Sequence, residues 1–483
     1  MLFNSIEFLL FFPCVVLIYF ILPHKLGRLS PRRDFLLIAS CFFYMSFIPK
    51  YMLILIFTTV VDYTGARLIE KWRERPKAKT AVFVIGLACN VGLLVYFKYL
   101  GVIGDTINFF GHMISLKTIV FPEVVLPIGI SFHTFQSMGY FIDTYRGKEK
   151  AEKNFLDFAL FLMFFPQLVA GPIERSSNLI PQLKAKHTLK AENISAGGRK
   201  MLWGMFKKVV VADNLALFAD AVFDAPDKYA GLGVLIGVLC FTVQIYCGFS
   251  GYSDIAVGCA KILDIDLMKN FDTPYFSRSV PEFWRRWHIS LSTWVRDYVY
   301  IPLGGNRVKK PRWMFNQLVT FTVSGVWHGA GYTYVIWGFL NGVYICLSRL
   351  LKPIRDKVSE ALRLEKIPFL PNLFRTAVTF TMISFSWIFF RANTVSDSFL
   401  LCGRLFSSTA MDFSAIPVLR VWVALGAAAL LFAAELIHNF GKPITAFAVR
   451  MPHLVRIVCY ALLVSSIILF GAYDNKAFIY FQF

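Results

Sequence analysis

Charge is scarce in this chain. Asp, Glu, Lys and Arg make up 17% of its 483 residues, against about 25% in ordinary soluble proteins. One run, Trp313 to Ser348, passes 36 residues without any of them. No segment is both long and polar enough to form a separate soluble domain, so residues 1–483 read as a single integral membrane domain. Several catalytic signatures are missing as well. The chain has no G-x-S-x-G nucleophile elbow, no P-loop and no H-E-x-x-H, so hydrolase, NTPase and metalloprotease readings lack their motifs. None of the nine cysteines forms a C-x-x-C pair, and neither a metal site nor a disulfide framework is expected. They read as small buried hydrophobes. An internal repeat is not evident, which argues against an inverted-repeat transporter. Without a basic leader or a small-residue cleavage site, residues 5–22 read as a retained first span.

Apolar sequence is abundant: 57% of the residues are hydrophobic and 50 are phenylalanine. At roughly 20 residues per span, the expectation is an all-α, polytopic protein of about a dozen membrane segments. Net charge is +20, but the basic residues cluster between apolar runs instead of lining one soluble face. That is the positive-inside pattern and not a nucleic-acid footprint, and no nucleic-acid partner is expected. His24, Lys25, Arg28, Arg32 and Arg33 mark one cytosolic loop, and Lys71, Arg73, Arg75, Lys77 and Lys79 another. Such a face attracts phosphorylated donors and acidic carriers. Spans are expected over 5–22, 35–48 and 51–69, with further apolar runs at 81–97, 124–141, 158–173, 232–253, 313–348, 376–390, 421–434 and 457–473. Several are short, which implies tilt, thinning or re-entrant helices that end inside protein. Pro166, Gly171 and Pro172 break one such run. The functional reading of these interrupted segments is a cavity wall, and the structural one is helix packing through small residues.

The stretch Phe271–Tyr332 concentrates the candidates. Ser279 and Glu282 form an S-x-x-E capping box with Pro281 in the first turn. Trp284, Trp287, Leu291, Trp294 and Tyr298 then repeat with helical period, which predicts one amphipathic helix carrying His288 and ending at Pro302 and Gly304-Gly305. His328 lies inside the uncharged run, in Val326-Trp-His-Gly-Ala-Gly331. A neutral imidazole accepts a proton near neutral pH, and ionisable groups inside membranes are functional by default. The structural reading makes His328 a hydrogen-bonded residue near the tip of a helical hairpin. His288 is the weaker candidate, because beside Arg285 and Arg286 a histidine is commonly a packing residue at the membrane surface. Those two arginines suit a donor phosphate or anionic lipid. Asp254, Asp143 and Glu174 are available to orient a histidine or to pair with arginines.

Taken together, Arg285-Arg-Trp-His-Ile-Ser-Leu-Ser-Thr-Trp294, Arg296-Asp-Tyr-Val-Tyr-Ile-Pro-Leu-Gly-Gly305 and Trp327-His-Gly-Ala330 resemble the membrane-bound O-acyltransferase family. The branch most resembled is that of bacterial alginate O-acetyltransferase membrane subunits. Pro166–Arg175, Ser250–Asp254 and the ending Ala477-Phe-Ile-Tyr-Phe-Gln-Phe483 add to the likeness. The resemblance implies His328 as the essential catalytic histidine and His288 as the second signature histidine. It also implies a funnelled core with a tunnel joining the two membrane faces, with Trp327, Gln167, Asp254 and His133 as candidate lining residues. Gly248 stands where relatives commonly carry aspartate, and His133 where an aromatic is usual. No acid partner is therefore assigned at Gly248, and His133 becomes a candidate third polar group.

The expected reaction takes an acetyl group from a cytosolic thioester, acetyl-CoA, to a hydroxyl from the outer side. His328 would act as base, while His288 orients the donor or stabilises the oxyanion. The resemblance further implies the cell inner membrane and a separate periplasmic or extracellular protein that receives the acetyl group for a glycan such as an alginate-like exopolysaccharide, cellulose or peptidoglycan. Two rival readings are D-alanyl transfer to teichoic acid from an acyl carrier protein, and a non-catalytic polytopic transporter.

Overall fold

A computed structural model describes every residue except 123, 170, 362–368, 440, 442–450 and 474–483. The ending Ala477–Phe483 lies outside the described residues. The architecture is helical, and the only β pairings among the described residues are two isolated bridges, Leu26 with Leu29 and Ala230 with Ala410. Among the described residues, six helices are long and apolar enough to cross a membrane: Pro49–Lys71, Pro76–Met113, Leu232–Ile262, Phe369–Arg391, Val418–Asn439 and His453–Phe470. A seventh arises if Tyr332–Leu350 and Lys352–Ala361, bent by 47°, form one span. By length and composition the tally stays below the dozen expected. The shortfall has a physical source, since the interrupted runs fold as short helices. The run at 158–173 becomes Phe155–Met163, then Phe165–Leu168, then irregular backbone around Gly171 and Pro172. Exposed apolar side chains such as Leu53, Trp422, Leu454 and Leu469 line the spans, as lipid-facing surfaces require.

The chain divides into two compact units: Met1–Met201 with Tyr252–Met268, and Leu202–Gly251 with Lys269–Phe483. In the first, helices begin where the sequence signals them. Ser5 accepts from the Phe8 N–H at 3.3 Å to cap Ile6–Ile21, and prolines open Pro31–Met45 and Pro76–Leu94. Phenylalanines fill the core, with Phe43 against Phe3, Phe8 and Phe165. Gly65 and Gly86 leave room for the Phe141 ring, which would lie 2.7 and 2.5 Å from a Cβ at those positions.

The second unit contains the uncharged run, which folds as a helical hairpin. Lys310–His328 and Tyr332–Leu350 are joined by Gly329, Ala330 and Gly331. The two backbones touch: a Cβ on Gly325 would lie 2.2 Å from the Tyr334 carbonyl oxygen, and one on Gly338 2.4 Å from that of Phe321. Small residues allow this approach, as is general in membrane helix pairs.

Candidate active site

His288 departs from the sequence expectation. The periodic stripe predicts one helix, but the structure breaks it into Val280–Arg286 and Ile289–Val295. His288 lies at the break with φ +42°, a left-handed conformation that is unfavourable for residues other than glycine. The helix start is as expected: the Ser279 hydroxyl accepts from the Glu282 N–H at 3.3 Å, and Glu282 reaches back to the Arg278 N–H at 2.9 Å. What enforces the break is Asn270, eighteen positions upstream. Its carbonyl accepts from the Ile289 N–H at 2.9 Å, while the Asp272 N–H donates to the Arg286 carbonyl at 2.9 Å. These bonds hold an extended strap across the break.

The Asn270 side chain also sets the imidazole. Its Oδ1 accepts from the Ser290 N–H at 3.2 Å and from the Ser290 hydroxyl at 2.9 Å, so this atom acts as an acceptor. His288 Nδ1 lies 3.2 Å from the same oxygen and therefore donates to it. With the proton on Nδ1, the Nε2 of a neutral ring carries a lone pair. His288 is buried, and burial pushes its pKa down to about 3, so the ring stays neutral at neutral pH. Phe249 meets it edge-on at 4.5 Å, and Phe271 stacks at 6.4 Å.

His328 ends the first helix of the hairpin, at the tip that the structural reading of the run anticipated. Its ring centroid is 6.4 Å from that of His288. Trp327 packs against both, at 5.9 Å from His288 and 4.9 Å from His328. Trp337 and Phe390 close on His328 edge-to-face at 5.1 and 5.3 Å. The tight turn depends on Gly329, where a Cβ would lie 2.1 Å from the Tyr334 ring. Two buried imidazoles thus share one aromatic cluster.

Of the sequence candidates, His288, His328 and Trp327 come together in this unit. Arg285 is exposed on the short helix that leads to His288. Arg286 is tied into the protein, pairing with Glu282 at 2.7 Å and donating to Asn439 Oδ1 at 3.0 Å. His133, Gln167 and Asp254 belong to the first unit. There His133 Nε2 lies 2.7 Å from Thr58 Oγ1, Gln167 donates to the Phe161 carbonyl at 2.6 Å, and Asp254 pairs with Lys200 at 3.5 Å. Asp143 pairs with Lys148 at 3.5 Å, and Glu174 accepts from Asn178 at 2.8 Å. A Cβ on Gly248 would meet only Ala212 Cβ, at 3.9 Å, so no crowding accounts for the glycine there. Sequence reasoning overlooked Asn270, whose only local signal is an asparagine just ahead of the Phe271–Pro274 turn.

A family model described as MBOAT, the membrane-bound O-acyltransferase family, matches residues 149–392, a stretch that contains Asn270, His288 and His328. The chain belongs to the membrane-bound O-acyltransferase family. It is 37% identical over 409 residues to the probable alginate O-acetylase AlgI of Pseudomonas syringae, covering 84% of this chain and 75% of that one. It is also 37% identical over 430 residues to the peptidoglycan O-acetyltransferase of Helicobacter pylori, covering 82% and 78%. The teichoic acid D-alanyltransferase of Bacillus subtilis is 28% identical over 226 residues, covering 45% and 57%. The protein is an acyltransferase and a multi-pass membrane protein.

Proposed function

We propose that this protein moves an acetyl group from acetyl-CoA on the cytosolic side of the inner membrane to a hydroxyl supplied from the outer side. The product serves O-acetylation of an extracytoplasmic polysaccharide, through a separate acceptor protein outside the membrane. The observation that carries this reading is the pair of buried imidazoles, 6.4 Å apart, in one aromatic cluster. His328 removes the hydroxyl proton as the oxygen attacks the thioester carbonyl. The C–O bond forms, the C–S bond breaks, and the proton passes to the departing thiolate. His288 orients the thioester donor by accepting from one of the donor's N–H groups at the Nε2 lone pair, the role its Asn270-fixed tautomer favours over oxyanion stabilisation. The short, broken helices serve as the half-crossing walls of a tunnel between the two faces. Arg285, exposed beside the site, is the better of the two arginines for a donor phosphate. Acetyl transfer is favoured over D-alanyl transfer by the higher identity and longer coverage of the acetyl relatives.

The test uses protein in nanodiscs supplied with radiolabelled acetyl-CoA or, separately, a D-alanyl carrier protein. Thioester consumption from acetyl-CoA that disappears in His328→Ala supports the reading. Turnover of the carrier alone, or full acetyl transfer by folded His328→Ala, would falsify it.

A further inference from the structure

The histidine pair leaves one requirement of that reaction unmet. As the hydroxyl attacks, the carbonyl oxygen gains negative charge and needs a hydrogen-bond donor aimed at it. His288, neutral and with its proton committed to Asn270, offers a lone pair instead. Donors are nevertheless present in the cluster around Trp337, which packs on His328. Trp284, Trp337 and Trp387 are each more than nine-tenths buried, and the indole Nε1 of all three has no hydrogen-bond partner among the described residues. Buried donors are rarely left unanswered in native structures, and an indole N–H can only donate. These three side chains form one group. Trp337 stacks on Trp387 at 5.5 Å, meets Trp284 edge-to-face at 5.7 Å, and meets His328 edge-to-face at 5.1 Å. They come from three elements: the short helix Val280–Arg286, the second helix of the hairpin and the span Phe369–Arg391.

We propose that this tryptophan cluster is the carbonyl-binding wall of the acyl site, with Trp337 donating to the thioester oxygen. The inference rests on the acyl-transfer reading above. In the step, the hydroxyl oxygen adds to the carbonyl carbon and its proton goes to His328. The former C=O electron pair settles on the oxygen held by the indoles. Collapse restores C=O and expels the thiolate, which takes the proton back from His328. A donor-only wall recognises an acceptor atom, and apolar rings around it suit a short acyl group.

The experiment uses the full chain in nanodiscs, labelled with ¹⁵N at the tryptophan indoles. The probe is an acetyl-CoA analogue whose sulfur is replaced by CH₂, a ketone that cannot transfer its acyl group. Phe substitutions of Trp284, Trp337 and Trp387, one at a time, assign the three indole signals. The Trp337 indole proton is expected to move downfield on saturation with the ketone and to do so also in His328→Ala, which binds without turnover. Trp337→Phe, which keeps an aromatic ring, is expected to lower kcat on acetyl-CoA about 10–100-fold, somewhat less than loss of a lone oxyanion donor, with KM within twofold. Wild-type turnover with no indole shift at saturation, or with unchanged kcat in folded Trp337→Phe, overturns the proposal alone. It would mean that neighbouring ring faces answer the indole edges. Wild type that neither binds the ketone nor consumes acetyl-CoA overturns the acyl-transfer reading and this proposal with it.

Discussion

Two regions bury histidine in different ways. In the first unit His133 sits inside the regular helix Ile130–Arg146 and bonds to Thr58 of the neighbouring span. One turn along each helix, Ser137 donates to Asp62, which also accepts from Asn90 at 2.7 Å. This polar ladder joins helices side by side. In the second unit neither histidine lies in the interior of a helix. His288 occupies a left-handed break, and His328 the last position before a glycine turn. Burial is similar in all three cases. What differs is the backbone: inside a regular helix His133 turns toward a neighbouring span, whereas His288 and His328 stand at helix ends, one fixed by Asn270 and the other set among aromatic rings.

The comparison is most exposed to His328→Ala. Loss of a positioned base is expected to slow thioester consumption about 10²–10⁴-fold while the protein keeps its thermal unfolding midpoint. A smaller loss would put His328 on the same footing as His133. Asn270→Ala comes next. It releases the His288 tautomer, and losing one orienting hydrogen bond, about 1 kcal/mol, corresponds to about a fivefold fall in rate. Asn270→Asp, which keeps an oxygen acceptor, should recover part of the loss in the same assay.

A third effect is on stability and depends on pH. Burial holds His288 at about 3 in the folded protein, below its ordinary value of about 6.5. Between those values the unfolded chain binds a proton that the folded one refuses, so stability falls as pH drops through that window. Thermal unfolding in nanodiscs at pH 7 and pH 5 should show a larger loss for wild type than for His288→Asn. Equal losses would mean that the folded site accommodates the charge. The smallest effect is expected from His133→Phe. It removes one hydrogen bond, about 1 kcal/mol of stability, and should leave the transfer rate near wild type. Abolished transfer in a folded variant would erase the distinction between the two regions.

Much of the helical layout was legible. Residues 5–22, 35–48 and 51–69 correspond to Ile6–Ile21, Pro31–Met45 and Met52–Lys71, because unbroken apolar runs between basic loops carry a local signal. The hairpin around His328 was legible too, since glycines punctuate it. The break at His288 was not. Its aromatic stripe keeps helical period straight through the interruption, and the force that opens it comes from Asn270, a bond between positions distant in sequence that periodicity does not register. For the same reason Trp284 reads only as a stripe residue, and Trp337 and Trp387 only as members of the apolar runs 313–348 and 376–390. That all three leave an N–H unanswered depends on how three elements close together, which no single window contains.

The touching backbones of the His328 hairpin bear on how this protein can diversify. At Gly325 and Gly338 even a methyl group would collide with backbone, so His328, the proposed base, is mounted on a part with little room for variation. Of the rings packed on His328, Trp327 and Trp337 share the hairpin, and Phe390 comes from a separate span. A change at Phe390 would alter the shape of the proposed acyl site without touching the close backbone contacts of the hairpin. A lineage built this way can vary the proposed acyl site from one side while the hairpin stays still.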